Sequence, residues 1–430
     1  MLEMKKIGFI LGGSLLFFGL LWGAVSCGRG MDTGGKITKR TLSSPVDSSV
    51  KSINVYLENS GSMDGYVKGN TGFEQSIYAY LSELQIGKIV DTLHLHYVNS
   101  RIIPLGHDVE KFIHNIEPTD FRKHGGNLGT SDIAIVLDSI LKRHDKNGIS
   151  IFVSDCIVSP GSKYASSPQN LNNYLLEQRT KIKKTFVQSL ECLNGNLSVV
   201  ICQLTSSFDG KFYNKADYPR YYKGNRPFYI WIIGSTSHIK QMLDKVPLES
   251  LKGNGADLDN VCTLVSSSKE FDYRVLLTPR LGSFGFDRTA PKTTICDIRK
   301  ENKGQQKGMF MFSVGVNLNQ LPLDKSYLMD IANYEVSNKD YTLSVKEQKT
   351  GRYPYIFNLS SKIASRGNIT IMLKKQFPQW VEERTDLLGD DLVKDNATDK
   401  TYGLKYLIEG VYEAFKTRQE NYAEFKITIK

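Results

Sequence analysis

The stretch Tyr56-Leu-Glu-Asn-Ser-Gly-Ser-Met-Asp-Gly-Tyr66 decides how the chain is read. It overlaps the end of a short apolar run, Ile53 to Leu57, and sets three oxygen-bearing side chains, Glu58, Ser60 and Ser62, on alternate positions where that run stops. A short apolar run that ends in turn residues has the character of a buried strand. What the oxygens gathered at its end hold is the question that organises the rest of the chain.

Outward from this strand, Ser52 to Glu58, helices and strands alternate. An amphipathic helix is expected at about Phe73 to Gln85, a strand at Thr92 to Asn99, and a second helix at Ser131 to Arg143 with Ile133, Val136, Leu137, Ile140 and Leu141 on one face. The all-apolar Ile149 to Val153 follows, then a long helix at about Leu171 to Leu193, β-rich runs at Leu197 to Leu204 and Phe228 to Ile233, and a helix at about Ser237 to Val246. Strands apolar on both faces, separated by helices, predict an α/β domain over 51–250 with a doubly wound, mostly parallel, Rossmann-type sheet. Between Ser206 and Pro227 the pattern breaks into an aromatic-rich stretch, read as a loop or hairpin insertion where a crossover helix is expected.

Beyond about Asn260 the period changes to two. Tyr273 to Thr278, Met309 to Val316, Tyr341 to Val345, Tyr355 to Leu359, Ile369 to Leu373 and Phe425 to Ile429 read as strands, with one helix at Leu404 to Lys416. These predict a β-rich, sandwich-like domain over 260–430 with that helix packed on it.

Three pieces of the first domain belong together: Glu58-Asn-Ser60-Gly-Ser62, Gly125-Gly-Asn-Leu-Gly-Thr130-Ser-Asp132 opening a helix, and Ser154-Asp155 after an apolar strand. In this order they resemble the von Willebrand factor type A (vWA) domain and its metal-ion-dependent adhesion site, whose pattern is Asp-x-Ser-x-Ser, then a Thr, then an Asp. The resemblance covers roughly residues 51 to 250 and implies Glu58, Ser60, Ser62, Thr130 and Asp155 as metal ligands. The chemistry also stands without the name. In an open α/β sheet, ligands gather beyond the carboxyl ends of the strands where strand order reverses. An all-oxygen donor set suits Mg2+ or another hard divalent cation that keeps waters. With few carboxylates, such an ion retains an open position for an acidic side chain from a partner protein. The family has Asp where this chain has Glu58, and the extra methylene displaces the carboxylate by about 1.5 Å. Either Glu58 binds directly, or the ion shifts, or the motif caps strand ends without metal. Asp64 and Asp132 are read as a turn or helix-cap Asp.

Other chemistries find less support. Gly61-Ser62-Met63-Asp64-Gly65 has the outer glycines of a nucleophile elbow with the Ser one place early, and no His sits in an obvious active-site loop. His94 and His96 share one face of a strand without a third ligand nearby, and the Gly125 to Thr130 loop lacks a P-loop ending. Catalysis is not expected, and a serine hydrolase is the weakest of the alternatives.

At the N-terminus, Lys5 and Lys6 precede an uncharged run, Ile7 to Val25, that ends in small residues before Cys27. Residues 1–26 read as a secretory signal. Ala24-Val25-Ser26-Cys27 resembles a bacterial lipobox, which implies lipidation at Cys27 and a flexible tether over 27–50. Five cysteines remain beyond Cys27, with no CxxC pair, so neither a zinc site nor a dense disulfide framework is indicated. Lys and Arg are spread along the chain despite a net charge of +10, and no nucleic-acid partner is expected. The reading that results is an envelope-anchored lipoprotein, facing the periplasm or the outside, whose vWA-like domain binds protein through a divalent cation. The alternative is a metal-free scaffold in an envelope assembly. On this reading, Cys27→Ser is expected to abolish incorporation of radiolabelled palmitate in a bacterial host and to remove the chain from the membrane fraction.

Overall fold

β1 (Ser52–Glu58) alternates sides as its sequence requires: Ile53, Val55 and Leu57 enter one apolar cluster and Tyr56 the opposite one. In the computed structural model the described residues are 49–430, apart from 130–131, 267–269, 390–391, 393 and 395. The signal segment, Cys27, nearly all of the tether and Thr130 therefore lie outside them.

β1 is followed by α1 (Gly72–Ile86), β2 (Leu93–Val98), β3 (Ile102–Gly106), α2 (Val109–Asn115), α3 (Pro118–Lys123), α4 (Ile133–Arg143) and β4 (Gly148–Ser154). Then come α5 (Ser162–Ala165), α6 (Pro168–Cys192), β5 (Leu197–Tyr213), β6 (Pro219–Gly234), α7 (Thr236–Lys245) and β7 (Ala256–Ser266). Local chemistry sets these boundaries. Thr71 and Glu74 form a reciprocal capping box at the start of α1, and Ser167 caps α6 with Pro168 in its first turn.

The seven strands form one sheet in the order β3-β2-β1-β4-β6-β5-β7. β1 is parallel to both β2 and β4, but β2–β3, β4–β6, β6–β5 and β5–β7 are antiparallel. The fold is thus α/β with a mixed sheet, not the mostly parallel one expected. The cause lies in the Ser206–Pro227 stretch. Instead of a helical crossover, β5 and β6 pair continuously from Ser198↔Gly234 to Tyr213↔Pro219 as one long hairpin, which reverses chain direction inside the sheet. β7 extends the same sheet beyond residue 250 by pairing with β5.

Helices cover both faces of this sheet. α1, α2, α3 and α7 pack against Ile53, Val55, Leu57, Ile149, Ile151 and Val153, while α4 and α6 pack against Tyr56, Phe152, Tyr229 and Trp231.

The remainder is β-rich: β8 (Asp272–Leu281), β9 (Ser283–Phe286), β10 (Thr294–Arg299), β11 (Phe310–Asn317), α8 (Lys325–Met329), β12 (Tyr334–Val336), β13 (Thr342–Glu347), β14 (Tyr355–Ser361) and β15 (Gly367–Lys374). It ends in α9 (Gln379–Glu383), the short pair β16 (Thr385–Asp386) and β17 (Thr401–Tyr402), α10 (Leu404–Arg418) and β18 (Asn421–Ile429). Sheets β12-β15-β18-β10-β9 and β13-β14-β11-β8 share one apolar core. α10 is the exception to the expected layout. It packs not on these sheets but along α6, where Leu404, Leu407, Ile408, Val411, Ala414 and Phe415 join the apolar cluster of the first sheet. The C-terminal helix therefore completes the α/β layer, and β18 returns the chain to the β-rich region.

Among the described residues all five cysteines are free, and no helix is long and apolar enough to cross a membrane.

Two positions at this junction carry measurable consequences. A Cβ on Gly410 would lie 2.6 Å from the Arg179 carbonyl oxygen and 3.0 Å from Ile182 Cβ, so α10 approaches α6 only because the side chain is missing. Gly410→Ala is expected to destabilise the protein by about 1–3 kcal/mol through overpacking, read by denaturant unfolding, despite its better helix propensity. Lys375, 4% exposed, donates from Nζ to the carbonyl oxygens of Gln419, which caps the C-terminal end of α10, and of Asn421, which opens β18, and lies 5.3 Å from the Tyr422 ring centre. Burial pushes its ammonium group down to about 7. The unfolded chain, with an ordinary lysine near 10.4, then binds more protons than the folded one between those values. Stability is expected to rise with pH across that window, and Lys375→Met to flatten the rise in thermal melts.

Candidate metal centre

The carboxyl ends of β1 and β4 lie side by side, in register from Ser52↔Gly148 to Leu57↔Val153. From β1 the chain goes to β2 on one side of the sheet, and β4 fills the other, so strand order reverses between them. Glu58 ends β1, and Asp155 follows the last residue of β4.

The three sequence pieces meet here through hydrogen bonds. Ser154 Oγ donates to Glu58 Oε2 and accepts from the Cys156 amide at 2.7 Å, stabilising a left-handed turn at Cys156 with φ of 53°. The Gly61 amide donates to the Leu128 carbonyl at 2.8 Å, tying the first loop to the Gly125–Gly129 loop. Asn99 joins the same two loops by donating to Asn59 Oδ1 at 3.0 Å and to the Gly125 carbonyl at 3.1 Å. Ser60 Oγ and Ser62 Oγ are 3.0 Å apart.

Glu58, Ser60 and Asp155 are buried, at 2%, 4% and 2% exposure, and Ser62 is half-buried. Asp155 Oδ1 accepts from the Ile157 amide at 3.1 Å, while Oδ2 has no hydrogen-bond partner among the described residues. Burial pushes the Asp155 carboxyl above its ordinary range; the nearby Ser62 hydroxyl, the Ile157 amide and the Arg226 guanidinium act against that shift. The Cys156 thiol, pushed up by burial, feels the charges of both Glu58 and Asp155.

Four of the five expected ligands are therefore gathered at one end of the sheet; the fifth, Thr130, lies outside the described residues, two positions after Leu128. Ser60, Ser62 and Asp155, with one buried oxygen left open, offer the oxygen donors a hard cation takes, whereas Glu58 is engaged by Ser154 on the face of β1 that carries Tyr56. Among the described residues no three His, Cys, Asp or Glu side chains cluster in a way that would hold a metal ion, so any such centre depends on the hydroxyls.

The neighbouring candidates have other partners. Asp132 caps α4 by accepting from the Ile135 amide at 3.2 Å, and Asp64 pairs with Arg122. His94 packs against the His107 ring at 4.6 Å, His96 stacks on Tyr56 at 4.9 Å, and His124 Nε2 lies 3.3 Å from Asp120. The Ser62 hydroxyl meets Ser60 and Asp155.

The hairpin of β5 and β6 supplies what the motif could not. It runs past the ends of β1 and β4 and closes over the loop after β1. A Cβ on Gly65 would lie 2.4 Å from the Phe208 ring, and one on Gly61 would lie 3.4 Å from the Tyr213 hydroxyl. Tyr66 donates to the Pro227 carbonyl. Arg226, 1% exposed, brings a guanidinium into electrostatic reach of Asp155. A charged residue abutting the apolar run Pro227 to Ile233 was the only sequence sign of it, and nothing in the order of residues linked it to Asp155.

Comparison with known proteins finds no matching family model, no similar curated protein and no similar solved structure.

Proposed function

We propose that the chain is an envelope-anchored lipoprotein whose vWA-like α/β region binds a partner protein through a divalent cation, Mg2+ or a similar hard ion. Glu58, Ser60, Ser62, Thr130 and Asp155 would hold it, and an acidic side chain of the partner would complete its coordination. The single observation that carries the reading is the orphaned Oδ2 of Asp155: a buried carboxylate oxygen without a donor, beside a pair of serine hydroxyls. Buried polar atoms in folded proteins are almost always paired, so one left open at the switch point of a sheet supports a ligand there. The vWA-like assignment is further supported by the reversal of strand order between β1 and β4 and by the loop-to-loop bond from Gly61 to Leu128.

A second reading, a metal-free scaffold, is favoured by different contacts. The Ser154 hydroxyl already engages Glu58, and the Arg226 guanidinium already offers positive charge to Asp155. In that case partners would contact the outer surface of the hairpin, where Tyr218 and Tyr221 are exposed, or the β-rich region.

Metal titration separates the two. Saturation of one site by Mn2+ at about 100 times Kd is expected to raise the unfolding free energy by about 2.7 kcal/mol. In Asp155→Asn the same addition is expected to give neither stabilisation nor calorimetric heat. A wild-type chain whose melting is indifferent to Mg2+ and Mn2+ would leave the scaffold standing.

A further inference from the structure

Arg226 is among the largest fully buried side chains described, and a guanidinium is rarely buried without a counter-charge. Its near contacts are neutral groups. Nη1 donates to the Thr398 carbonyl at 3.0 Å and, more weakly, to the Lys400 carbonyl at 3.5 Å. The guanidinium carbon lies 5.2 Å from the centre of the Phe212 ring, and Nε has no partner among the described residues.

Strand register says where the balancing charge is. On β6, Phe228, Ile230 and Ile232 face the cluster that holds Ile149, Ile151 and Val153 of β4, and Arg226 continues their period of two. Ser154 pairs with Tyr229, so Asp155 is one step beyond, following Val153 on that same face. The two charged groups thus sit on one face of adjacent strands at one end of the sheet, each with an atom lacking a hydrogen-bond partner. The guanidinium acts on Asp155 as a positive charge in reach but not in contact, and Tyr66 between the hairpin and the β1 loop feels both.

We propose that Arg226 is the built-in counter-cation of Asp155 and competes with any divalent ion for it, so that ion affinity is set by the hairpin and by the 398–400 segment that anchor the guanidinium. The competition rests on the cation-centre reading; the pairing does not. A divalent ion placed at Asp155 Oδ2 would meet a fixed positive charge in a poorly screened interior, where like charges repel far more strongly than in water. Ion entry would then require the guanidinium to withdraw, and with it its contacts to Phe212, Thr398 and Lys400. The arrangement makes the centre responsive to whatever moves the hairpin.

The test has two arms on the full-length protein. The first is a double-mutant cycle in chelator, with Asp155→Asn, Arg226→Met and the double variant compared by thermal melting. The expected result is non-additivity: each single change leaves one buried charge uncompensated, and the double variant is more stable than their sum predicts. The second arm titrates Mn2+ calorimetrically, and Arg226→Met is expected to bind at least tenfold more tightly than the wild-type chain, with Arg226→Lys close to wild type. Additive melting overturns the proposal. Coupled melting with equal Mn2+ affinity in wild type and Arg226→Met overturns the competition while the cation centre survives. Coupled melting with no Mn2+ binding in any variant overturns the cation centre, and the competition with it. Should Arg226→Met fail to fold, Arg226→Gln keeps donors for the Thr398 and Lys400 carbonyls without the charge and carries the same comparison.

Discussion

β4 is buried at every one of its positions, between β1 on one side and β6 on the other. A strand enclosed on both faces and both edges cannot shift register without moving apolar side chains out of the two layers around it. That constraint holds the end of β4 against the end of β1, and so fixes Ser154 opposite the end of β1 and Asp155 just past it. Everything polar in this part of the molecule, from the Glu58–Ser154 bond to the turn at Cys156, is a consequence of two central strands ending together inside a dry core. The helices of both faces, including α10 from the far end of the chain, serve to keep it dry.

Burying two carboxylates in such a place is unfavourable unless charge or hydrogen bonds compensate them. The two are compensated differently. Glu58 takes a hydroxyl donor from Ser154, whereas Asp155 has one amide, a nearby hydroxyl and the field of Arg226, and retains an open oxygen. The difference gives the pair its chemical asymmetry, with one acid hydrogen-bonded by a hydroxyl and the other left with an open oxygen. On the proposed reading, guanidinium and metal would be alternative ways of meeting the same electrostatic demand.

The β-rich region is joined to the α/β layer through α10, not appended beyond it. The chain crosses from β15 through Lys375 to the cover of the first sheet, and returns as β18 to the centre of a sandwich sheet. Helix α10 runs against α6 at Gly410, and ion pairs from Arg179 and Lys183 to Glu409 and Glu413 flank the contact. A periodic stretch such as Leu404 to Lys416 announces an amphipathic helix, but its apolar stripe carries no address. Leu and Val pack as well on a helix as on a sheet, so the stripe alone could not say which layer it covers.

The same distinction separates what was legible from what was not. By itself the sequence determined the individual elements, because hydrophobic period and caps are local: β1, β4 and the helices at 72–86 and 168–192 fall within a few residues of their expected bounds. It also determined the oxygen side chains at the strand ends, because spacing along one strand is a local property. Only the tertiary structure decided the direction of β6, the Ser154 bond to Glu58, and the approach of Arg226 to Asp155, partners separated by about 70 residues or more along the chain. Pairing over such distances depends on which surfaces remain to be buried once the local elements exist, and that is a property of the whole packed molecule.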